Sequence, residues 1–139
     1  MFDLLLPLLV VAAAVVLLFV LPGITLGLVI IGERQVGVVV KRFSRDGRGL
    51  PPGQLIALDG EAGYQADTLA PGWHFGYWSW MYNVIKVPVT VIPQGEIGLL
   101  VAADGASVPP ERILGKVVDC ENFQNARKYL TNGGEKGRQ

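Results

Sequence analysis

Between Asp3 and Glu33 no residue carries a charge, so Leu4 to Ile31 forms an apolar run of 28 residues. A helix rises about 1.5 Å per residue, and the uninterrupted part from Leu8 to Leu21 with its flanks reaches across a hydrocarbon core of roughly 30 Å. The run predicts a membrane-spanning anchor over residues 1–32. A cleaved signal peptide fits poorly, because Met1-Phe2-Asp3 is acidic and the run exceeds an apolar signal core of about 7 to 15 residues. A buried core helix fits poorly too, since the rest of the chain is too short and too rich in glycine and proline to wrap it. Pro22-Gly23 leaves two geometries open: one tilted helix kinked near Pro22, or a re-entrant hairpin turning there under cover of other protein.

Beyond Ile31 the period changes from helix to strand. Gln35 to Phe43 is a β-branched run closed by Ser44-Arg45-Asp46-Gly47, which predicts a strand leaving almost directly from the membrane. Gly47 to Gly63 predicts loops with one short strand around Leu55 to Leu58. Ile85 to Val91 alternates, with Ile85, Val87, Val89 and Val91 on the predicted apolar face, and Pro88 marks an edge or bulge. Pro93-Gln94-Gly95-Glu96 reads as a turn and Ile97 to Ala103 as the returning strand of an antiparallel hairpin. Ile113 to Val118 reads as one more short strand or extended segment. Phe123, Ala126 and Leu130 recur at helical spacing from about Asp119, the expected N-cap, to Thr131, with Asn132-Gly133-Gly134 as the stop. The last five residues, Glu135 to Gln139, are polar and read as an unpacked tail. The expected fold class is α+β: a transmembrane helix, a small antiparallel β-rich domain over 33–118, and a short helix with a polar tail over 119–139 that continues into a longer protein.

The aromatic residues gather in one place. Trp73, Phe75, Tyr77, Trp78, Trp80 and Tyr82 fall inside twelve residues and include all three tryptophans of the chain. Two readings stand side by side: rings filling the core of a small domain, or a belt at the headgroup level, where Trp and Tyr find an apolar and a wet environment at once. The flanks of the apolar run set its orientation. Only Asp3 and the terminal amine precede it, whereas Arg34, Lys41, Arg42, Arg45 and Arg48 follow within about 20 residues, so the bulk of the chain is expected on the cytoplasmic side.

Twelve Lys plus Arg balance twelve Asp plus Glu, which disfavours a nucleic-acid partner. One cysteine, Cys120, and one histidine, His74, leave no set for an internal disulfide, a Cys-x-x-Cys metal site or a histidine cluster. Gly47, Gly49 and Gly53 lack the Gly-Lys-Ser/Thr and the helix of a phosphate loop. Ser44, Ser79 and Ser107 lack a nucleophile elbow, and Asp59, Glu61 and Asp67 read as carboxylates of a solvated loop. No catalytic, metal or cofactor residues are expected, and the chain does not read as an enzyme.

Gly32-Glu33-Arg34-Gln35-Val36-Gly37-Val38-Val39 with Arg42-Phe43 resembles the opening strand of the SPFH or Band 7 domain shared by stomatins, prohibitins and flotillins. Ala70-Pro71-Gly72-Trp73-His74-Phe75 resembles that family's Pro-Gly-aromatic segment, where a turn precedes a strand running back toward the membrane. Asn122-Phe123-Gln124, Tyr129-Leu130 and Gly133-Gly134-Glu135-Lys136-Gly137 are similar to a segment of a flotillin-like bacterial branch. The resemblance implies a non-catalytic, single-pass scaffold of the bacterial inner membrane. Its partners would be the lipid bilayer, further copies in a large ring or cage of like or related chains, and enclosed membrane proteins. No heptad segment is present, so the chain is either the N-terminal part of a longer protein or unable to close a cage alone. Two competing readings are a small accessory subunit of a membrane enzyme or transporter complex, and a tethered enzyme whose chemistry lies after Gln139.

Overall fold

The apolar run divides into two elements. Helix α1 (Phe2–Thr25) takes 24 residues, about 36 Å of helix, and continues through Pro22 and Gly23, so the hairpin turn considered there is not formed. The last residues of the run leave the helix, and strand β1 (Val29–Ile31) belongs to the β domain. The helix therefore ends at Thr25, short of residue 32, where the expected anchor was placed. β-branched Val29, Ile30 and Ile31 favour the pleated state once they have a partner strand. The computed structural model describes the backbone of residues 2–139 and, within α1, the side chains of Leu5–Leu18, Val20 and Leu21. All of these helix side chains are exposed. Among the described residues no helix is long and apolar enough to cross a membrane.

The chain is a small α+β protein whose sheets are mostly antiparallel. Strand β2 (Gln35–Lys41) lies where the β-branched run places it. β3 (Ile56–Ala57) is the short strand of the glycine-rich stretch, followed by β4 (Gly63–Leu69), β5 (Gly72–His74) and β6 (Tyr82–Pro88). The main sheet has the order β3-β4-β2-β6, and β1 pairs with β5 in a two-stranded ribbon. One pair, β3 with β4, is parallel. Ile31, Val39 and Leu69 form the core, with Val29, Tyr77, Tyr82 and Val84 packed against it.

β6 is the edge strand that Pro88 announces, but its faces are the reverse of the expectation. Tyr82 and Val84 turn to the core, while Ile85 and Val87 lie on the exposed side. The predicted hairpin does not form. The turn closes, with Glu96 N–H donating to Pro93 O at 3.1 Å, yet no strand returns along β6. Instead β7 (Val101–Ala102) pairs antiparallel with β8 (Gly137–Arg138). Ile113 to Val118 forms no strand.

Helix α2 (Ala126–Thr131) starts six residues later than expected, capped by Asn125 rather than Asp119, and the Asn125 side chain accepts from Lys128 N–H at 3.0 Å. Asp119 does not cap it because Glu121, Asn122 and Phe123 form a left-handed turn at φ 57°, 54° and 61°, a conformation incompatible with a right-handed helix. Arg127 of α2 grips Asp67 of β4 through two bonds, at 2.9 and 2.7 Å, so Asp67 is a tie rather than a free loop carboxylate. The tail is packed as well. Glu135 is buried, pairs with Arg112 at 2.5 Å and accepts from Lys116 N–H at 2.8 Å. Burial would raise its carboxyl, but those two partners hold it below the ordinary range. The polar composition of the last five residues concealed this, because their bonds run to distant residues.

Asp104 joins the two halves of the domain. It is buried and accepts from Leu55 N–H and Ile56 N–H, both at 2.8 Å, and from Gly105 N–H at 2.8 Å, satisfying amides at the free edge of β3. Burial alone would raise its carboxyl, yet these donors and nearby Lys136 hold it below its ordinary value of 3.8. Because the folded value is depressed, the stability it contributes is fully present above about pH 4 and is lost as pH falls through the lower folded value. Asp104→Asn keeps the shape but turns donors toward backbone donors. It is expected to cost about 1–3 kcal/mol, read as a lower urea midpoint at pH 7, and to flatten the loss of stability expected of the unaltered chain as pH falls below about 4.

Candidate functional site

The exposed aromatic surface is assembled at the end of α1. Gly76 N–H donates to Leu26 O at 2.8 Å and Tyr77 N–H to Gly27 O at 2.9 Å, which locks the aromatic loop against the last turn of the apolar run. β1 and β5 continue the same clamp, with Ile30 directly opposite Trp73 and Val29 opposite His74. β5 thereby runs back toward the end of α1. Gly27 sits at φ 58°, and a Cβ there would lie 2.6 Å from Tyr77 N and 2.7 Å from Trp78 N. Only glycine permits both the left-handed backbone and that approach.

The six aromatic residues named from sequence divide into two groups. Tyr77 and Tyr82 pack on the core and meet edge to face at 5.4 Å; burial of the Tyr77 phenol pushes it above its ordinary value. Trp73 is 69% exposed, Phe75 59% and Trp80 59%, so the expectation that these rings fill the core is overturned for them. Trp78 lies in stacked contact with Trp80 at 6.4 Å. His74 bonds Ala70 O through Nε2 at 2.7 Å, which fixes the loop. Leu26 and Ile30, both about half exposed, extend the apolar foot.

The five cations do not form one cluster. Arg34 lies beyond β1, in the turn at the opposite end of β2 from Lys41. Lys41 donates to Gly60 O at 2.7 Å. Arg42 N–H donates to Met81 O at 2.8 Å, and Arg42 lines an open hollow with Leu28, Tyr77 and Ser79. Arg45 and Arg48 follow in an exposed loop. Lys41 and Arg42 are thus beside the aromatic foot, and Arg34 is at the far end of the sheet.

Sequence reasoning missed Leu26 and Gly27 as the residues that hold the loop, because no local pattern links them to Gly76 and Tyr77, some fifty positions later. It also missed Asp104 and Glu135, two buried carboxylates engaged by backbone amides. Among the described residues no group of three or more His, Cys, Asp or Glu is placed to hold a metal ion. No family profile matches the chain, and neither the curated proteins nor the solved structures contain a significant match to it.

Gly27→Ala is expected to destabilise the domain by about 1–2 kcal/mol through the left-handed backbone alone, with the overlap at Tyr77 N added. A lower melting temperature together with loss of the Trp78–Trp80 exciton signal in circular dichroism is the expected result.

Proposed function

We propose that this chain is the membrane-anchored part of an SPFH-type scaffold, held at the inner face of a bacterial membrane by α1 and associating laterally into a ring or cage that encloses other membrane proteins. The observation that carries this reading is the junction at Leu26 and Gly27. The apolar helix has no polar face on its described side chains, and the backbone of the loop that carries the exposed aromatic rings is hydrogen-bonded to Leu26 and Gly27, just past the helix end. A helix that is apolar all round is at rest only in a core or a bilayer. Tryptophan rings at its base suit the headgroup layer, and Arg42 beside them suits anionic headgroups.

Lateral association is supported by the apolar surface on the second half of the domain, where Val91 is 78% exposed, Ile97 98%, Ile113 85% and Val117 93%. Exposed apolar residues in this number mark a surface that meets another one. The resemblance of Gly32–Val39, Ala70–Phe75 and Asn122–Gly137 to SPFH segments supplies the particular kind of scaffold.

Reconstitution of the full chain into vesicles tests the anchor and the foot together. Lipids brominated near the glycerol end of the acyl chain are expected to quench tryptophan fluorescence more strongly than lipids brominated near the chain terminus; the reverse order, or no quenching, removes the interfacial reading. The pair Trp73→Ser and Trp80→Ser is expected to shift stability by no more than about 0.5 kcal/mol each, against about 3–5 kcal/mol for rings in a core. Negative-stain images of detergent-extracted material are expected to show a large symmetric ring, and a small stoichiometric complex would favour an accessory subunit instead.

A further inference from the structure

Two stretches of the chain make the same contacts in the same order. Gln35 N–H donates to Gly32 O at 3.1 Å, and 61 residues on, Glu96 N–H donates to Pro93 O at 3.1 Å. A Cβ on Gly37 would stand 2.9 Å from Ile31 Cδ1; a Cβ on Gly98 would stand 2.3 Å from Ile92 Cδ1. Val40 and Lys41 face Tyr64 and Gly63 across the β2–β4 pair, and Val101 and Ala102 face Arg138 and Gly137 across the β7–β8 pair. The two facing glycines share φ values of 125° and 118°.

The equivalence extends to side chains. Gln65 Nε2 donates to Glu61 O at 2.8 Å and to Gly63 O at 3.0 Å. Gln139 Nε2 donates to Glu135 O at 2.7 Å and to Gly137 O at 3.4 Å. Both sets lie in a Glu-x-Gly-x-Gln segment, and each loop before them carries a proline pair, Pro51-Pro52 and Pro109-Pro110. The third strand has a one-bond counterpart without strand structure: Ile56 lies parallel to Tyr64, and Gly115 N–H donates to Arg138 O at 2.8 Å. So many matched registers in one order make a duplicated β unit.

Burial is where the two units differ. Ile31 is 3% exposed and Val39 2%, closed by Leu69 of β4. Their counterparts Ile92 and Leu100 are 55% and 37% exposed. In the first unit β4 runs past Gln65 and sets Thr68 opposite Val38 and Leu69 opposite Gly37. In the second, β7 pairs with β8 over two residues, and Gly98 and Leu99 face no strand among the described residues.

We infer that Gly98 and Leu99, next to Leu100, whose O already accepts Gln139 N–H at 2.9 Å, form an acceptor edge for an antiparallel strand running on from β8 in the register of β4. The strand it fits has a small residue at the place of Ala66, which is 3% exposed, and a branched aliphatic at the place of Leu69, which is 6% exposed. Main-chain bonds along the free edge hold it, and the aliphatic side chain closes over Ile92 and Leu100 as Leu69 closes over Ile31 and Val39. The continuity of β7–β8 with this edge selects a strand in cis over one from a second copy. The inference does not depend on the scaffold reading.

The test appends Ala-Asp-Thr-Leu, the residues of β4 from 66 to 69, after Gln139 of the full chain in detergent, and compares it with an appended Asp-Pro-Thr-Pro, whose two prolines lack N–H and interrupt the ladder. Amide hydrogen exchange over residues 97–101 is expected to slow by at least about tenfold with the first extension and to be unchanged by the second. Equal exchange in both extended chains overturns the inference. So does slow exchange in the unextended chain that quickens on dilution, because a second copy would then hold the edge.

Discussion

Two carbonyls just past the end of α1, those of Leu26 and Gly27, accept the amide protons of Gly76 and Tyr77, and that approach requires a residue without a Cβ at position 27. Most of the first unit follows from this clamp. It ends the helix, turns the remaining β-branched residues into a strand with β5 as partner, and brings the aromatic loop to the base of α1. Buried backbone amides must find partners, and here those partners lie on both sides of the junction.

The small core is consistent with that arrangement. Ile31, the last residue of the apolar run, is one of its three central side chains, so the run supplies both the helix and part of the domain interior. Polar ties do the remaining work at longer range. Asp104 meets the edge amides of β3, Arg127 reaches Asp67, and Glu135 gathers Arg112 and the Lys116 amide. Asp104 and Asp67 thereby tie the second half of the domain to the first, and Glu135 ties the second half to itself.

Local pattern carried the strands at Gln35–Lys41 and Ile56–Ala57, the edge position of Pro88 and the existence of a short late helix, because β-branched runs, proline and capping residues act over a few positions. It failed where a distant partner decided. The alternation of Ile85 and Val87 marked a strand but named the wrong face, since Tyr82 and Val84 are the residues that Ile31 and Leu69 receive. The polar tail from Glu135 to Gln139 looked free because its partners are Arg112, Lys116, Val101 and Ala102. The aromatic segment was legible as a cluster, whereas its division into two packed tyrosines and a set of outward rings depends on Leu26 and Gly27, which no spacing within the segment could reveal.

No linker separates α1 from the sheet: three residues stand between Thr25 and Val29, and two of them are bonded to the aromatic loop. Under the anchoring proposed above, a helix of about 36 Å in a hydrocarbon layer near 30 Å would relieve the mismatch by leaning. With the joint fixed, that lean would pass into the domain as a rotation of the whole sheet, and bilayer thickness would act on the angle at which proposed neighbours meet.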